Sequence, residues 1–234
     1  MSEQGQPPYA PLKLAFILLP KYSMIAFSSL IEPIRLANRE SGAELFEWSC
    51  YSLNGEAVEA SNHVVTQVDG AVRDLGDAAL TLVCSGLDIE QIAPGPELGK
   101  RLRYLVAHGR TIGAVCTGAY VLAKYGLLDG FRCTIHWENI PSFREEFPAI
   151  DVTSDIYEID RTRWTCAGGT AALDMMLRFI AEQGGVALAR KVAEVSLHQE
   201  IRAGKNAQRH DLRYRLGTAN DKLIEAVQVM ESHI

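Results

Sequence analysis

Ile112-Gly113-Ala114-Val115-Cys116-Thr117-Gly118-Ala119 is the stretch that decides the reading of this chain. Residues 111–115 have the length and composition of a buried strand, and residues 118–127 carry apolar positions at helical spacing. A strand that enters a helix through small residues around one cysteine has the layout of a nucleophile elbow. Such an elbow lifts its side chain at the carboxyl end of a central strand, where open α/β sheets bind ligands. The helix start supplies unpaired N–H groups and positive potential there, which lower a thiol pKa or hold an anion. Cys116 is therefore the first candidate site residue. Cys50, Cys84, Cys133 and Cys166 lack that context and read as small buried residues.

The alternation continues on both sides of the elbow. Residues 12–19 (LKLAFILL) form an apolar run ended by Pro20, the pattern of a strand covered on both faces. Residues 23–38 place Phe27, Leu30, Ile31 and Ile34 at helical spacing. Short apolar runs recur at 46–53 and 79–84, residues 98–107 are helical in period, and Leu128-Asp129-Gly130 closes the helix after the elbow. Residues 132–135 read as a strand and 140–147 as a helical segment. Two strand-like pieces around Asp160-Arg161, within 152–165, predict a hairpin, and 170–183 predict a helix closed by Gly184-Gly185. Residues 12–184 are thus expected to form one α/β domain: a doubly wound, mostly parallel sheet with helices on both faces.

Outside that domain, residues 1–11 read as a disordered polar tail. Residues 185–218 read as an amphipathic helix (186–202, with Leu188, Val192 and Val195 on one face) followed by a polar linker. Thr218 or Asn220 reads as the N-cap of a last helix, whose stripe of Leu223, Val227, Met230 and Ile234 needs a partner.

The chain has 234 residues, 47% of them hydrophobic and 22% charged, which excludes a disordered chain and permits a full core without disulfides. A net charge of −6 disfavours nonspecific nucleic-acid binding. Between residues 190 and 215, however, seven basic residues face three acidic ones; a solvated basic helix accounts for this better than a phosphate-binding strip. No apolar run approaches the roughly 20 residues that span a bilayer, and the start carries no secretory pattern, so no membrane partner is expected. The five cysteines are odd in number and show no CxxC spacing. That argues against a disulfide framework and a metal site, and for reduced thiols in the cytoplasm. No cofactor is expected.

Two further pieces join Cys116. In Leu82-Val83-Cys84-Ser85-Gly86-Leu87 a strand ends in Ser85-Gly86, and the Gly86 N–H with that of Thr117 would form an oxyanion-type pocket. In Cys133-Thr134-Ile135-His136-Trp137, His136 comes twenty positions after Cys116 and reads either as a base or as a half-buried structural histidine.

With these residues in hand, positions 12–184 resemble the class I glutamine amidotransferase-like, flavodoxin-like fold. The branch is that of PfpI-type proteases, deglycase-like proteins and isocyanide hydratases. The matching positions are Ile31-Glu32-Pro33, Ser85-Gly86, the Cys116 elbow, Thr134-Ile135-His136 and Trp164-Thr165-Cys166-Ala167-Gly168-Gly169-Thr170. Ile34-Arg35-Leu36-Ala37-Asn38, Gly126-Leu127-Leu128-Asp129-Gly130 and His136-Trp137-Glu138-Asn139 bring the chain closest to AraC-family transcriptional regulators, which carry such a domain as an amino-terminal sensor. In the same comparison, residues 219–234 are similar to the first helix of a truncated AraC-type helix-turn-helix domain. The resemblance also implies that Glu32 hydrogen-bonds the Cys116 thiol; the plainer alternative is a carboxylate favoured by the helix dipole.

The chain departs from the enzymes of that branch. PfpI-type proteases place histidine directly after the nucleophile, where Thr117 stands here. His136-Trp137-Glu138 copies the His-x-Glu pair of amidotransferases in letters but lies too close to the cysteine. Without an evident base and orienting residue, proton transfer at Cys116 lacks support. The expected function is a ligand-binding sensor that keeps the pocket without the chemistry, its ligand a small amino-acid-like or quaternary-amine metabolite. Glu32, Ser85, Gly86, Cys116, Thr117, His136 and Trp137 are the expected binding residues, with Tyr22, Phe27 or Tyr120 as further walls. Expected partners are that effector and a second copy of the chain, with DNA contacted only through a helix-turn-helix domain absent from this chain. The alternatives are a Cys-dependent hydrolase or hydratase using Cys116, Glu32 and His136, and a redox sensor with an easily oxidised Cys116.

Overall fold

The computed structural model describes residues 10–92 and 94–232; the expected tail through residue 9, and Ile234, lie outside the described residues. The opening apolar run becomes β1 (Leu12–Leu18). Ser23 then caps helix α1 (Met24–Ser41) by accepting the Ala26 N–H at 3.4 Å. Gly42 closes α1 at φ 68°, a conformation that costs a residue without Cβ little. Next come β2 (Phe46–Ser52), a small hairpin of β3 (Val58–Glu59) with β4 (Val65–Thr66), and the short β5 (Gly70–Ala71). The central alternation follows as β6 (Leu80–Cys84), α2 (Gly95–Ala107), β7 (Thr111–Val115) and α3 (Gly118–Lys124). β8 (Arg132–Thr134) and β9 (Asp151–Thr153) flank α4 (Ile140–Glu146). β10 (Tyr157–Asp160) and β11 (Arg163–Cys166) form the expected hairpin, and α5 (Ala171–Gly184) and α6 (Val186–Val195) follow it. Two helices, α7 (Leu212–Leu216) and α8 (Asp221–Ser232), end the described chain.

Seven strands build the main sheet in the order β10-β11-β7-β6-β1-β2-β5. Its neighbours run parallel except at the β10–β11 edge. The period of two along β1 divides the core. Leu14, Phe16 and Leu18 join Leu30, Ile34, Met175 and Ile180 from α1 and α5 on one face. Ala15 and Ile17 join Leu102, Leu122 and Phe143 from α2, α3 and α4 on the other. The sheet is therefore doubly wound, as expected. Connections leave β1 in one direction and β6 in the other, so the switch point lies between them, beside the Cys116 elbow on β7.

The remaining differences have local causes. The expected strand at 132–135 does not join the main sheet; β10 already occupies the free edge of β11, and β8 pairs in parallel with β9 instead. The helix expected to reach residue 202 stops at Val195. There the His198 N–H returns to the Ala193 carbonyl and Leu197 adopts φ 54°. The expected linker at 203–218 lies against the domain. Ile156 N–H donates to the Gly204 and Asn206 carbonyls, and Gln208 N–H to that of Ser154. α7 lies within the same stretch. Asn220 Oδ1 accepts the N–H groups of Lys222 and Leu223, making it the cap of α8. Among the described residues, no helix is long and apolar enough to cross a membrane.

Candidate functional site

Between Val115 and α3 the chain turns through Cys116 at φ 59°, a conformation that a non-glycine residue holds only when its surroundings over-determine it. Three contacts do so. Cys116 N–H donates to the Cys166 carbonyl at 2.9 Å, and His136 N–H donates to the Cys116 carbonyl at 3.2 Å. Gly168, at φ 95°, packs so closely that a Cβ there would lie 3.0 Å from Cys116 Cβ. Beneath the elbow, buried Thr117 donates its hydroxyl to the Gly86 carbonyl at 2.6 Å and lies 3.1 Å from Ser85 Oγ. Gly86 in turn abuts the Lys21–Ser23 turn, where a Cβ would meet Lys21 O at 2.2 Å. Ser85, Gly86 and Thr117 thus form a floor that fixes the elbow, and the Thr117 hydroxyl is spent on that bracing.

The electrostatics reverse one expectation. Burial pushes the Cys116 thiol up to about 11, the Glu138 carboxylate adds to this, and the hydrogen bond from Thr117 N–H opposes it only in part. The helix start therefore does not produce a low-pKa thiol: α3 is two turns long and desolvation outweighs it. His136 is held below 6.5, chiefly by burial, with Glu138 acting in the opposite direction. His136 Nδ1 lies 3.5 Å from Glu138 Oε2, so a carboxylate does stand beside this histidine. The His-x-Glu letters carried that signal. Trp137 remains 37% exposed. The Arg209 guanidinium lies over its ring, 4.3 Å from the centroid.

Other expected residues fall elsewhere. Glu32 is exposed in the middle of α1, beyond the first turn where the helix dipole acts, and accepts from Arg35 Nε at 2.9 Å, so it is a surface carboxylate paired along the helix and not the dipole-favoured one of the plainer reading. Tyr22 and Phe27 meet edge to face at 5.6 Å inside the core, with the Tyr22 hydroxyl bonded to Thr66. Tyr120 is buried and donates to Glu146. None of these three is a pocket wall. Two cavities among the described residues also lie away from the elbow. A groove of about 1360 Å³ runs between α5, α6 and residues 197–205, and a cavity of about 570 Å³ lies beside Lys21, Asn54 and His63. Cys116 lines neither; it is half-buried, as is His136, while Trp137 is exposed. Among the described residues, no cluster of His, Cys, Asp or Glu has the makeup of a metal site.

The residues that sequence reasoning missed are Gly168, Glu138 and Arg209. In the sequence Gly168 belongs to a motif without a stated role, and Arg209 is one of the basic residues between 190 and 215 that read as a solvated face.

The DJ-1/PfpI family model matches residues 13–182, which contain the whole elbow and its supports. The chain belongs to the DJ-1/PfpI family. Within this family it is similar to the HTH-type transcriptional regulator CdhR of Pseudomonas aeruginosa, 42% identical over 218 residues, covering 93% of this chain and 64% of CdhR. The HTH-type transcriptional regulator GbdR of the same organism is 36% identical over 232 residues, covering 98% of this chain and 63% of GbdR. The chain thus spans slightly less than two thirds of these regulators. Among solved DJ-1/PfpI-like folds, an AraC family transcriptional regulator from Pseudomonas putida superposes with a TM-score of 0.72 at 29% identity, covering 80% of this chain and 100% of that one.

Proposed function

We propose that this chain is the ligand-sensing part of a DNA-binding transcriptional regulator, holding a small amino-acid-like or quaternary-amine metabolite at the Cys116 elbow without transforming it. The observation that carries this reading is the state of Cys116, whose thiol is pushed up to about 11 and so stays protonated near neutrality. A nucleophilic cysteine needs the opposite. Similarity to regulators along nearly the whole chain supports the same conclusion. In this reading Ser85, Gly86 and Thr117 form the floor, and Cys116, His136 and Trp137 face the ligand. A neutral thiol is also the compatible neighbour for a ligand carboxylate. DNA contact belongs to a helix-turn-helix domain of which α8 is the first helix, and the regulator acts as a cytoplasmic homodimer, since paired half-sites match two-fold symmetry.

Calorimetric titration with a panel of zwitterions, comprising free amino acids and quaternary-ammonium carboxylates, tests this reading. Wild type binds a member of the panel and Trp137→Ala binds it more weakly; no binding by any member counts against the sensor. A second reading, a Cys-dependent hydrolase or hydratase, is favoured by the His136–Glu138 contact at 3.5 Å. A turnover screen of wild type beside Cys116→Ser separates the two, and turnover that disappears in the variant would establish the enzyme.

A further inference from the structure

We propose that the cavity of about 570 Å³ beside Lys21, Asn54 and His63 is a second small-molecule site, which takes an organic ammonium ion with an apolar body. This goes beyond the sensor reading and stands whether or not the elbow holds an effector.

The cavity lies between the ends of β1 and β2 and the β3–β4 hairpin, and Cys116, His136 and Trp137 line no part of it. Its volume falls in the range of pockets that enclose small ligands, roughly 300–1,000 Å³. Leu18, Val58 and Ala60 line it and are buried, which makes its inner wall apolar. Leu87 also lines it with 59% of its surface exposed, apolar area that an occupant removes from water.

The charges around the cavity do not balance. Lys21 is engaged by Asp88. Glu56 accepts from the neutral Asn54 amide at 2.8 Å, and Glu59 pairs with His63 Nδ1 at 2.5 Å. Two carboxylates therefore line the cavity, and among the described residues neither is bonded to a lysine or arginine. An ammonium ion supplies the missing charge and donates N–H groups to carboxylate oxygens. An anion of the same shape meets two like charges.

The backbone shows the cavity to be preformed. Lys21, His63 and Asp88 adopt φ of 58°, 67° and 56°, three of the six positive-φ residues other than glycine among the described residues. Such outliers gather at ligand clamps and persist where the surroundings hold them. Here Lys21 N–H donates to the Glu59 carbonyl at 2.9 Å, and His63 N–H to that of Ala60 at 3.0 Å. Leu87 N–H donates to the Lys21 carbonyl at 3.2 Å. These bonds pin the hairpin, the turn after β1 and the end of β6 into one frame, which lowers the ordering cost of binding.

Amide NMR titration with phenethylammonium chloride tests the site, with 2-phenylethanol as the uncharged control and 3-phenylpropionate as the anionic one. The ammonium ion shifts the amides of Lys21, Asn54, Ser61 and Leu87 to saturation and binds about tenfold more tightly than the alcohol; the anion does not bind. Glu56 and Glu59 are exposed, so the double variant Glu56→Gln/Glu59→Gln keeps the fold, and it binds the probe about fivefold more weakly. No saturable shift, equal affinity for the alcohol, or unchanged affinity in the double variant would overturn the proposal. Shifts confined to Cys116, His136 and Trp137 overturn it as well and leave the sensor reading standing. A blank zwitterion panel beside saturable shifts at Lys21 and Leu87 refutes the sensor reading alone, so the two failures are distinguishable.

Discussion

Arg202 grips Asp174 with its side chain and its main chain together: Nε, Nη2 and the backbone N–H all donate to one carboxylate that has no exposure to solvent. This contact turns a stretch that reads as the end of a helix into a strap across the domain.

Arg202→Ala leaves the Asp174 charge buried with reduced compensation, and loses about 2–4 kcal/mol of stability. Asp174→Asn loses less, because Arg202 is one-third exposed and turns towards water. Urea midpoints of the two variants give this order; equal losses, or a larger loss in Asp174→Asn, would contradict it.

Gly86→Ala places a methyl 2.2 Å from Lys21 O and 2.9 Å from Ser23 N. Both obstacles are backbone, which cannot rotate aside, so the turn after β1 must part from the end of β6. A loss of about 3 kcal/mol or more is expected in thermal or urea unfolding. A near-neutral result would show that the floor of the elbow is loose.

Cys116 is the partly exposed cysteine among four buried ones. Since its thiol titrates near 11, alkylation by iodoacetamide is slow at neutral pH and keeps rising with pH past 9. Glu138→Gln removes a charge that raises the thiol pKa, and accelerates labelling at a given pH. A rate that levels off below pH 9 is the result to look for against this account. Slow oxidation by mild peroxide follows from the same cause and disfavours a redox-sensing role.

His136 gives a prediction on the acid side. Burial holds its folded-state pKa below 6.5, so the unfolded chain takes up this proton first. The stability it contributes is complete above about 6.5 and falls as pH drops through that value towards the folded pKa. Imidazole resonances followed by NMR should place the midpoint below 6.5, and lower still in Glu138→Gln. His136→Gln should flatten this part of the pH–stability curve.

Much of the fold is legible because its cause is local. β1, β6 and β7 are covered on both faces along most of their length, so their residues are mainly apolar, and the helices between them carry apolar positions at a period that identifies the buried side. The elbow is legible for the same reason: small residues around Cys116 are what a strand-to-helix turn requires. Glu32 misled because its place in a motif says nothing of the direction in which α1 turns its side chain. Tyr22, Phe27 and Tyr120 misled because an aromatic residue near a pocket in sequence serves a core equally well.

By itself, the sequence determined a doubly wound α/β domain, a cysteine at the corner after β7 and a family of regulators as relatives. The tertiary structure alone decided that burial makes this thiol a weak acid, that Glu138 stands beside His136, and that Arg209 lies on Trp137 seventy-two positions away. The physical reason is range. Hydrophobic period and turn chemistry act between neighbours along the chain, whereas desolvation, ion pairing and ring stacking depend on groups that only the completed packing brings together.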